Sequence, residues 1–511
     1  MLEEPVLDLD DIQGNILPGF KKDSQHFLFL QIVDPEPARL WLKSLAPRLW
    51  TAREVLAAHS MWKAMRLKLG HEPDNLDFLF LNCAISAQGL KKLGVPDIEK
   101  FDDKAFKRGL EERSSSLGDP PRGSGEPGSP ETWIFGAGSR RPDVLLILAT
   151  DNLDWAVRVE EELITSAQQQ GLQRIHVDRG RVRPGTLAGH EHFGFKDGIS
   201  HPAIRGRKSI APDDFIESRT LPEDSAFDDI YRSRFAAPGR PLVWPGHFLF
   251  GYLRQKSDEP ESSRPNSEPS GPAWAVNGSF LVYRRLSQDV QRFRTFLAEA
   301  SETLGQNGFD SDLTPERLGA LLVGRWASGW PVMRDPNLDR GEQELGENYF
   351  TFTEATTVSL PNDPYPLNLP DPNGLICPFA AHIRKVNPRD DATDIGPKER
   401  TFQKLLLRRG ITFGPEIEDK PQAERGLLFV AFQTSIVDQF EFLMNDWVND
   451  ANKPHANNGG VDPIISAARN TKISLVNGTN KFDLQIPGGW VMATGGEYMF
   501  APGIRFFSNV L

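Results

Sequence analysis

The stretch HFLFLQIV, residues 26–33, has the β-rich character of a buried strand and begins the pattern that decides the fold. Apolar residues at helical spacing between Pro37 and Leu69 predict helical segments after it. A second strand is predicted over Asn75–Ile85, and Ser86 then caps a short helix that Gly94 ends. Strand, helix and strand in this order form the first half of a ferredoxin-like unit.

The unit is completed further along the chain. The apolar run VLLILA, residues 144–149, predicts a strand, a helix starts at Asp154, and Gln173–Val182 returns as a strand. A looser repeat of the arrangement follows in the second half. Its predicted strands and helices alternate as Ser279–Arg284, Gln288–Ala300, Leu427–Gln433 and Val437–Trp447. The pair Gly495 and Gly496 predicts the turn of a late hairpin.

The predicted fold class is therefore α+β, with two ferredoxin-like domains that arose by tandem duplication. We expect an N-terminal domain over residues 1–215, which carries the sequence GFKDG, and a C-terminal domain over residues 216–511. Two stretches dense in Ser, Pro, Gly and Glu, residues 112–131 and 254–273, predict flexible surface insertions.

Composition indicates a globular protein but does not choose its function. Lysine and arginine number 58 against 70 aspartate and glutamate residues, and 58 − 70 gives a net charge of −12. An acidic balance without a basic block argues against nucleic acid or an anionic membrane as a partner. Two cysteines, Cys83 and Cys377, do not make a disulfide scaffold.

The sequence shows neither a targeting segment nor a membrane span. The stretch MLEEPVLDLDDIQGN has acidic residues where a signal peptide needs positive charge and an apolar run, and no twin-arginine signal is seen. No run approaches the roughly 18 apolar residues that a spanning helix needs. We expect a cytoplasmic protein, and the sequence gives no oligomeric state.

Three short motifs could carry chemistry. His382 lies in CPFAAHIRKVNPR, residues 377–389, and has no second histidine at four-residue spacing, so the zinc-helix pattern is absent. A lone histidine is most often satisfied by backbone groups, but one imidazole also suffices as the axial ligand of a haem. A helix or turn is expected to begin near Phe379, about one turn before His382.

Asp197 stands between two glycines in GFKDG, residues 194–198. Asp-Gly is a common turn pair, yet the same glycines would let backbone approach a flat ligand and leave the carboxylate as a proton acceptor. In LRRGITFG, residues 407–414, Arg408 and Arg409 are consecutive. Such a pair is normally an exposed charge or an anion clamp, and an arginine in a pocket would stabilise charge that develops in a reaction.

Together and in order, these motifs and three others resemble the dye-decolorising peroxidases, haem enzymes that oxidise bulky organic substrates with hydrogen peroxide. The three others are DIQGNILPGF at residues 11–20, NGSFLVYRRLSQDV at 277–290 and LVGRWASGWP at 322–331. The motif shapes and long insertions are similar to the larger bacterial and fungal-like branch. The resemblance implies two ferredoxin-like domains with one haem b per chain between them, held mainly by the second.

The resemblance also assigns residues. His382 matches the proximal iron ligand, while Asp197 and Arg408 match the catalytic pair on the opposite haem face. Arg384 and Lys385 would meet the haem propionates. GVDPII, residues 460–465, resembles the segment that gives the proximal histidine a carboxylate partner, so Asp462 is expected to bond the far imidazole nitrogen.

The resemblance also implies that Gly194, Phe195 and Gly198 contact the haem. Gly410 stands where some relatives carry Asn, so the distal pocket is expected to rely on Asp197 and Arg408 alone.

Two other kinds of site stay open on sequence alone. His190 and His192 would share a face of a strand and, with Asp197 and His201 near, could bind a metal ion without haem. A Cys377 thiolate paired with His382 could be a nucleophile, although no oxyanion-hole motif is evident.

The predicted function is a haem peroxidase that reduces hydrogen peroxide and oxidises dyes or phenolics in one-electron steps. The alternative is a haem-binding carrier or iron-releasing protein without peroxidase turnover. A carrier needs His382 but neither a distal acid nor a distal cation, so the presence of Asp197 and Arg408 favours the enzyme.

Overall fold

The computed structural model describes residues 3–71, 73, 77–222, 227–254, 268–342, 346–356, 358–360, 363–365, 367–396, 398–455 and 459–511. Its strands are β1 (Ser24–Ile32), β2 (Phe80–Ser86), β3 (Val144–Thr150), β4 (Leu172–Arg181), β5 (Ala203–Ile204), β6 (Phe235–Ala237), β7 (Arg240–Val243), β8 (Ser279–Gln288), β9 (Leu407–Arg408), β10 (Ile411–Phe413), β11 (Gly426–Gln433), β12 (Thr471–Asn477), β13 (Asn480–Ile486) and β14 (Val491–Ala501).

The α-helices are α1 (Pro35–Leu45), α2 (Ala52–Leu69), α3 (Ala87–Lys92), α4 (Lys104–Arg108), α5 (Leu110–Arg113), α6 (Leu153–Gln169), α7 (Asp229–Arg234), α8 (Val290–Gln306), α9 (Pro315–Val323), α10 (His382–Val386) and α11 (Ile504–Asn509). Two consecutive π-helical segments, Ile436–Glu441 and Leu443–Val448, follow β11. None of the helices in the described part of the chain is long and apolar enough to cross a membrane.

Both halves of the chain form a ferredoxin-like antiparallel sheet. In the first half the strand order is β4-β1-β3-β2, with Phe27 opposite both Asp178 and Ile147. In the second half the order is β14-β8-β11, followed by β9 and β10, which are two pieces of one interrupted strand on the edge of β11. Each half therefore repeats the order fourth, first, third and second strand, which confirms the predicted duplication.

The two sheets close on each other into one barrel. Phe500 of β14 pairs with Ile85 of β2 at one seam, and Phe413 of β10 pairs with Gly180 of β4 at the other. A Cβ atom at residue 180 would lie 2.2 Å from Ile411 Cγ2, so glycine is required where the seam brings the strands together. The halves are thus joined by backbone pairing at both edges.

Alternation along the strands separates two layers of apolar side chains. Phe27 and Phe29 of β1 point into the barrel, where they pack with Tyr283 of β8. Leu28 and Leu30 point outward to the layer that includes α1 and α6. Each such fully buried side chain contributes about 1.5–3 kcal/mol to stability relative to exposure. The first sheet is consequently covered on both faces.

Most sequence-predicted elements are confirmed with shifted ends. The Ser86 side chain caps α3 by accepting a hydrogen bond from Gly89 N. Asn75 lies outside the described residues, and the strand predicted there begins at Phe80.

The prediction for Gly495 and Gly496 is wrong, because both residues lie inside β14 rather than at a turn. A Cβ atom at residue 496 would lie 2.4 Å from Tyr283 O, so that glycine permits close approach of β8. The late hairpin instead turns between β12 and β13.

The structure describes all of the first predicted insertion but only the ends of the second. Residues 112–131 contain one-turn 3₁₀ helices at Ser114–Leu117 and Pro130–Thr132. Most of the second stretch, residues 255–267, lies outside the described residues. The flexibility of both stretches and the domain boundary at residue 215 stay predictions.

Candidate active site

A cavity of about 310 Å³ lies against the outer face of the second sheet. Its apolar wall includes Leu286 of β8, Phe429 of β11 and Ala493 of β14. Val323 at the end of α9, Ile383 of α10 and the π-helical segments at Phe440 and Leu443 complete the apolar surface. A mostly apolar cavity of this size with a few convergent polar groups is typical of a small-molecule or cofactor site.

His382 and Asp462 form a hydrogen-bonded pair in the cavity wall. His382 Nδ1 lies 2.8 Å from Asp462 Oδ2, and the other carboxylate oxygen accepts from the backbone N–H groups of Ile464 and Ile465. Burial favours the neutral imidazole, but the charge and hydrogen bond of Asp462 outweigh it and raise the pKa of His382. Because Asp462 engages Nδ1, the ring nitrogen Nε2 is the one available to a ligand.

Asp197 and Arg408 form an ion pair in the same cavity. Arg408 Nη1 donates to Asp197 Oδ1 over 3.0 Å, and the side chains are 29% and 36% exposed for Arg408 and Asp197, respectively. Both side chains line the cavity. Burial disfavours the carboxylate, but the Arg408 charge and a hydrogen bond from Gly198 N outweigh it and lower the pKa of Asp197.

Backbone geometry explains why glycines flank Asp197. Gly194 and Gly198 have φ angles of 106° and 79°, which other L-residues rarely adopt. Asp197 N donates to Gly189 O over 2.8 Å, which closes the loop behind the carboxylate. Of the predicted haem-contacting residues in this loop, Phe195 and Gly198 line the cavity and Gly194 does not.

The break between β9 and β10 sends the two consecutive arginines in different directions. Arg408 faces the cavity, whereas Arg409 donates to the backbone oxygens of Asn15 and Ile16 in the N-terminal stretch. Gly410 lies so close to β11 that a Cβ atom there would be 2.9 Å from Leu428 O. Of the two arginines, Arg408 alone therefore lines the cavity.

The structure corrects the assignment of Arg384 and Lys385, because neither lines the cavity. Arg384 is fully buried, where it donates to the carboxylates of Asp371 and Asp391. Lys385 donates to the backbone oxygens of Asp450 and Lys453.

Helix geometry gives the reason. A turn begins at Phe379, as predicted, and the helix α10 begins at His382. The residues one, four and five positions after His382 share the cavity-facing side of α10. Residues two and three positions later, which are Arg384 and Lys385, therefore face the protein interior.

The cations that line the cavity and were not predicted from the sequence include Arg325 and Arg389. Burial lowers the pKa of Arg325 to about 9 and that of Arg389 to about 10. Arg325 Nη2 donates to Ser200 Oγ and to Asn348 Oδ1, and Arg389 Nη1 donates to Asn348 O. Arg389 is the last residue of the same thirteen-residue motif as His382, and this position in the motif was the available signal.

Leu117 and Asp119 of the first predicted insertion also reach the cavity. Asp119 accepts two hydrogen bonds from Arg284 Nη2 of β8, at 2.7 and 2.9 Å. The composition of this polar stretch predicted a surface insertion and gave no signal of the contact.

The structure does not assemble the haem-free metal site. His190 Nδ1 and His192 Nε2 face the backbone oxygens of Ala188 and Phe413, respectively. Among the residues described, no group of three or more His, Cys, Asp or Glu side chains could hold a metal ion. The thiolate alternative is also disfavoured, because burial raises the pKa of Cys377 to about 12.

Comparisons with known proteins identify the family and the fold. Residues 11–184 match the family described as the DyP dimeric alpha+beta barrel domain, and residues 254–458 match the Dyp-type peroxidase C-terminal family. A dye-decolorizing peroxidase from Mycena epipterygia is 32% identical over 99% of this chain and 88% of its own length.

Solved structures agree with these matches. An ancestral D-type dye decolorizing peroxidase has a TM-score of 0.76 and 32% identity, with 99% of both chains covered. A dye-decolorizing peroxidase solved in complex with 2,6-dimethoxyphenol has a TM-score of 0.71 and 27% identity, again over 99% of both chains.

The barrel and its cavity thus define a peroxidase of the α+β barrel class. The chain belongs to the dye-decolorising peroxidase family, and it is a haem-dependent enzyme that consumes hydrogen peroxide and oxidises organic substrates.

Proposed function

We propose that the cavity between His382 and the Asp197–Arg408 pair is the peroxidase active site and holds one haem b per chain. The observation that supports this most is the convergence of two hydrogen-bonded pairs on one apolar cavity, His382 with Asp462 and Arg408 with Asp197. The first pair would hold the haem iron through the His382 imidazole, and the second pair offers a base and a cation.

The residues present fit a haem. His382 presents one imidazole nitrogen, which is sufficient because the porphyrin supplies four ligands. The apolar side chains of the cavity wall, such as Leu286, Phe429 and Phe440, would contact the macrocycle. Arg325 and Arg389 replace Arg384 and Lys385 as the proposed cationic partners of the propionates, because they line the cavity with charged side chains. When bound, haem iron supplies the electrophilic centre for peroxide and the redox change for substrate oxidation.

Asp197 acts as the proton carrier in this proposal. Its lowered pKa keeps it ionised, so it is ready to accept a proton from one peroxide oxygen. It then delivers that proton to the other oxygen, which leaves as water. Gly198 N and Arg408 hold the same carboxylate oxygen, Oδ1, so Oδ2 stays available for the transfer.

Arg408 stabilises the charge that develops as the oxygen–oxygen bond breaks. Its guanidinium lies in a mostly apolar cavity, where a fixed positive charge acts more strongly than in water. Its hydrogen bond to Asp197 fixes the distance between the cation and the base.

We also propose that phenols are among the reducing substrates. The support is the likeness to the peroxidase solved with 2,6-dimethoxyphenol. The haem-carrier alternative is less well supported, because a carrier gains nothing from a carboxylate paired with a cation in the ligand cavity.

Replacement of Asp197 by Asn tests the proposal. We expect the haem-loaded variant to keep the wild-type visible spectrum, while the second-order rate constant for peroxide falls about 10²–10⁴-fold in stopped-flow absorbance measurements. Asp312→Asn, at an exposed loop carboxylate, is the matched control. A wild-type rate in Asp197→Asn would overturn the assignment of the base.

A further inference from the structure

A second carboxylate, Glu191, lies inside the loop that presents Asp197. Its Oε2 accepts a hydrogen bond from Phe193 N over 2.8 Å, and its Oε1 accepts one from Phe195 N over 2.9 Å. The residue also lines the cavity, yet the reaction proposed above assigns it no part. The Glu191 side chain thus accepts hydrogen bonds from two backbone N–H groups of the loop that presents Asp197.

The backbone of Glu191 takes part in the same loop. Glu191 N donates to Phe195 O over 2.9 Å, and Gly194 N donates to Glu191 O over 2.9 Å. Residues 191–195 therefore form a closed turn around one carboxylate. Asp197 follows two residues later, so a change in this turn is passed directly to the catalytic side chain.

Glu191 also ties the loop to the second half of the barrel. Gln288 Nε2, at the end of β8, donates to Glu191 Oε2. Arg183 Nη1 donates to Glu191 O over 2.6 Å, and the same guanidinium is held by Glu416 next to β10. The loop is thus fixed against two strands of the sheet that also carries Arg408.

The chemistry of the contacts requires a carboxylate. Two backbone N–H groups and one side-chain amide need acceptors on two different oxygens, and a carboxylate provides both. A glutamine has the same shape but one oxygen, so in either orientation its NH₂ group would face the backbone N–H of Phe193 or of Phe195. A buried donor left without a partner costs about 1–3 kcal/mol, enough to move a loop.

We propose that Glu191 is a positioning residue that holds Asp197 at the distance from Arg408 and the peroxide site that proton transfer requires. The inference rests on the proposed function, because it assumes that Asp197 is the base. Glu191 does not touch the reacting atoms and acts through the turn of residues 191–195 and its link to Gln288.

Stopped-flow measurements on the haem-loaded Glu191→Gln variant test the inference. We expect unchanged haem content and visible spectrum, and a rate constant for peroxide that is lower by about 100-fold on the plateau of the pH profile, because misplacement of a catalytic group by about 1 Å costs that much. Loss of the Glu191 charge alone would move the midpoint of the profile and leave the plateau rate unchanged, which would overturn positioning.

A double-mutant cycle decides whether the effect passes through Asp197. In the Asp197→Asn background, Glu191→Gln should cause no further loss of rate. An equal loss in both backgrounds would show that Glu191 acts independently of Asp197, and the inference would be wrong. If Asp197→Asn itself reacts at the wild-type rate, the proposed function has failed, whatever Glu191→Gln does.

A second variant covers the case in which Glu191→Gln does not fold. Gln288→Leu removes the link to β8 but leaves both loop hydrogen bonds of Glu191, so a smaller loss of about 10-fold is expected in the same assay. Glu418→Gln, an exposed carboxylate paired with Arg294, is the control and should keep the wild-type rate. A wild-type rate in Gln288→Leu would contradict the role of the link.

Discussion

The two halves of the barrel share one topology and use its outer face differently. In the first half, Leu28, Leu146 and their neighbours cover that face with apolar side chains that pack under α1 and α6. In the second half, β8 and β11 place Arg284, Leu286 and Phe429 on a face that borders the 310 Å³ cavity. The same strand order has thus produced a packed core in one half and a ligand site in the other.

The difference comes from the connections rather than from the strands. Between α8 and β9 the second half inserts about a hundred residues, which bring His382 to the cavity. Between the π-helical segments and β14 it inserts the stretch that contains Asp462. A duplicated fold thus gains a site by lengthening loops that fold back over one sheet.

The largest effect is expected when His382, the proposed iron ligand in the second half, is replaced. His382→Ala should abolish tight haem binding, because the cavity then offers no axial nitrogen from this position. Absorbance titration of the haem-free protein with haem measures this, and His59→Ala in the first half should bind as the wild type does. Full retention of haem with an unchanged spectrum in His382→Ala would contradict the ligand assignment.

A pair of truncations measures how differently the two faces are packed. Leu146→Ala should lower the free energy of unfolding by about 2–5 kcal/mol, since its side chain is completely buried under the helices. Leu286→Ala should cost less in the haem-free protein, because Leu286 already borders the cavity. Urea unfolding of both variants checks this, and equal losses would show that the second face is as tightly packed as the first.

A smaller effect should follow from weakening the partner of His382. Asp462→Asn removes the carboxylate charge at Nδ1 and should speed haem loss about 10–100-fold, because such partners make the imidazole a stronger ligand. Haem transfer to an acceptor protein, followed by absorbance, measures the rate. Asp419→Asn, an exposed carboxylate, serves as the control, and equal rates in both variants would contradict a role for Asp462.

The smallest expected effect is a shift in the pH dependence of the rate constant for peroxide. Arg408 lowers the pKa of Asp197, so the carboxylate persists as pH falls through 3.8, the ordinary value, and the peroxide rate should decline only below that pH. In Arg408→Met the decline should begin at a higher pH, in addition to a lower plateau. Stopped-flow rates with circular dichroism at each pH separate this from unfolding, and identical midpoints would contradict the electrostatic coupling.

The sequence was sufficient for the duplicated fold because alternating apolar strands such as residues 144–149 leave a local signal. It was insufficient for closure of the barrel, since the contact of Gly180 with Ile411 joins residues far apart in the chain. The pair Gly495 and Gly496 was misread for the same reason. Glycine beside a distant backbone looks in sequence like glycine in a turn.

The residues of the candidate site were predictable where a motif identifies them. They were unpredictable where the orientation of a helix determines which side chains reach the cavity. His382, Asp197 and Arg408 all line the cavity. Arg384 and Lys385 do not line it. Because α10 begins at His382, the positions two and three residues later face away from the cavity. Glu191 gave no separate signal, since its role depends on backbone groups that have no sequence identity of their own.

Closure of the barrel within one chain has a consequence for assembly. The loop that presents Asp197 follows the first sheet, whereas Arg408 stands in the second, and the seam between Gly180 and Phe413 holds the two sheets together. The encounter of the two sheets is therefore an intramolecular event, governed by an effective concentration that the connecting chain sets. The Asp197–Arg408 pair should stay assembled at any dilution of the protein.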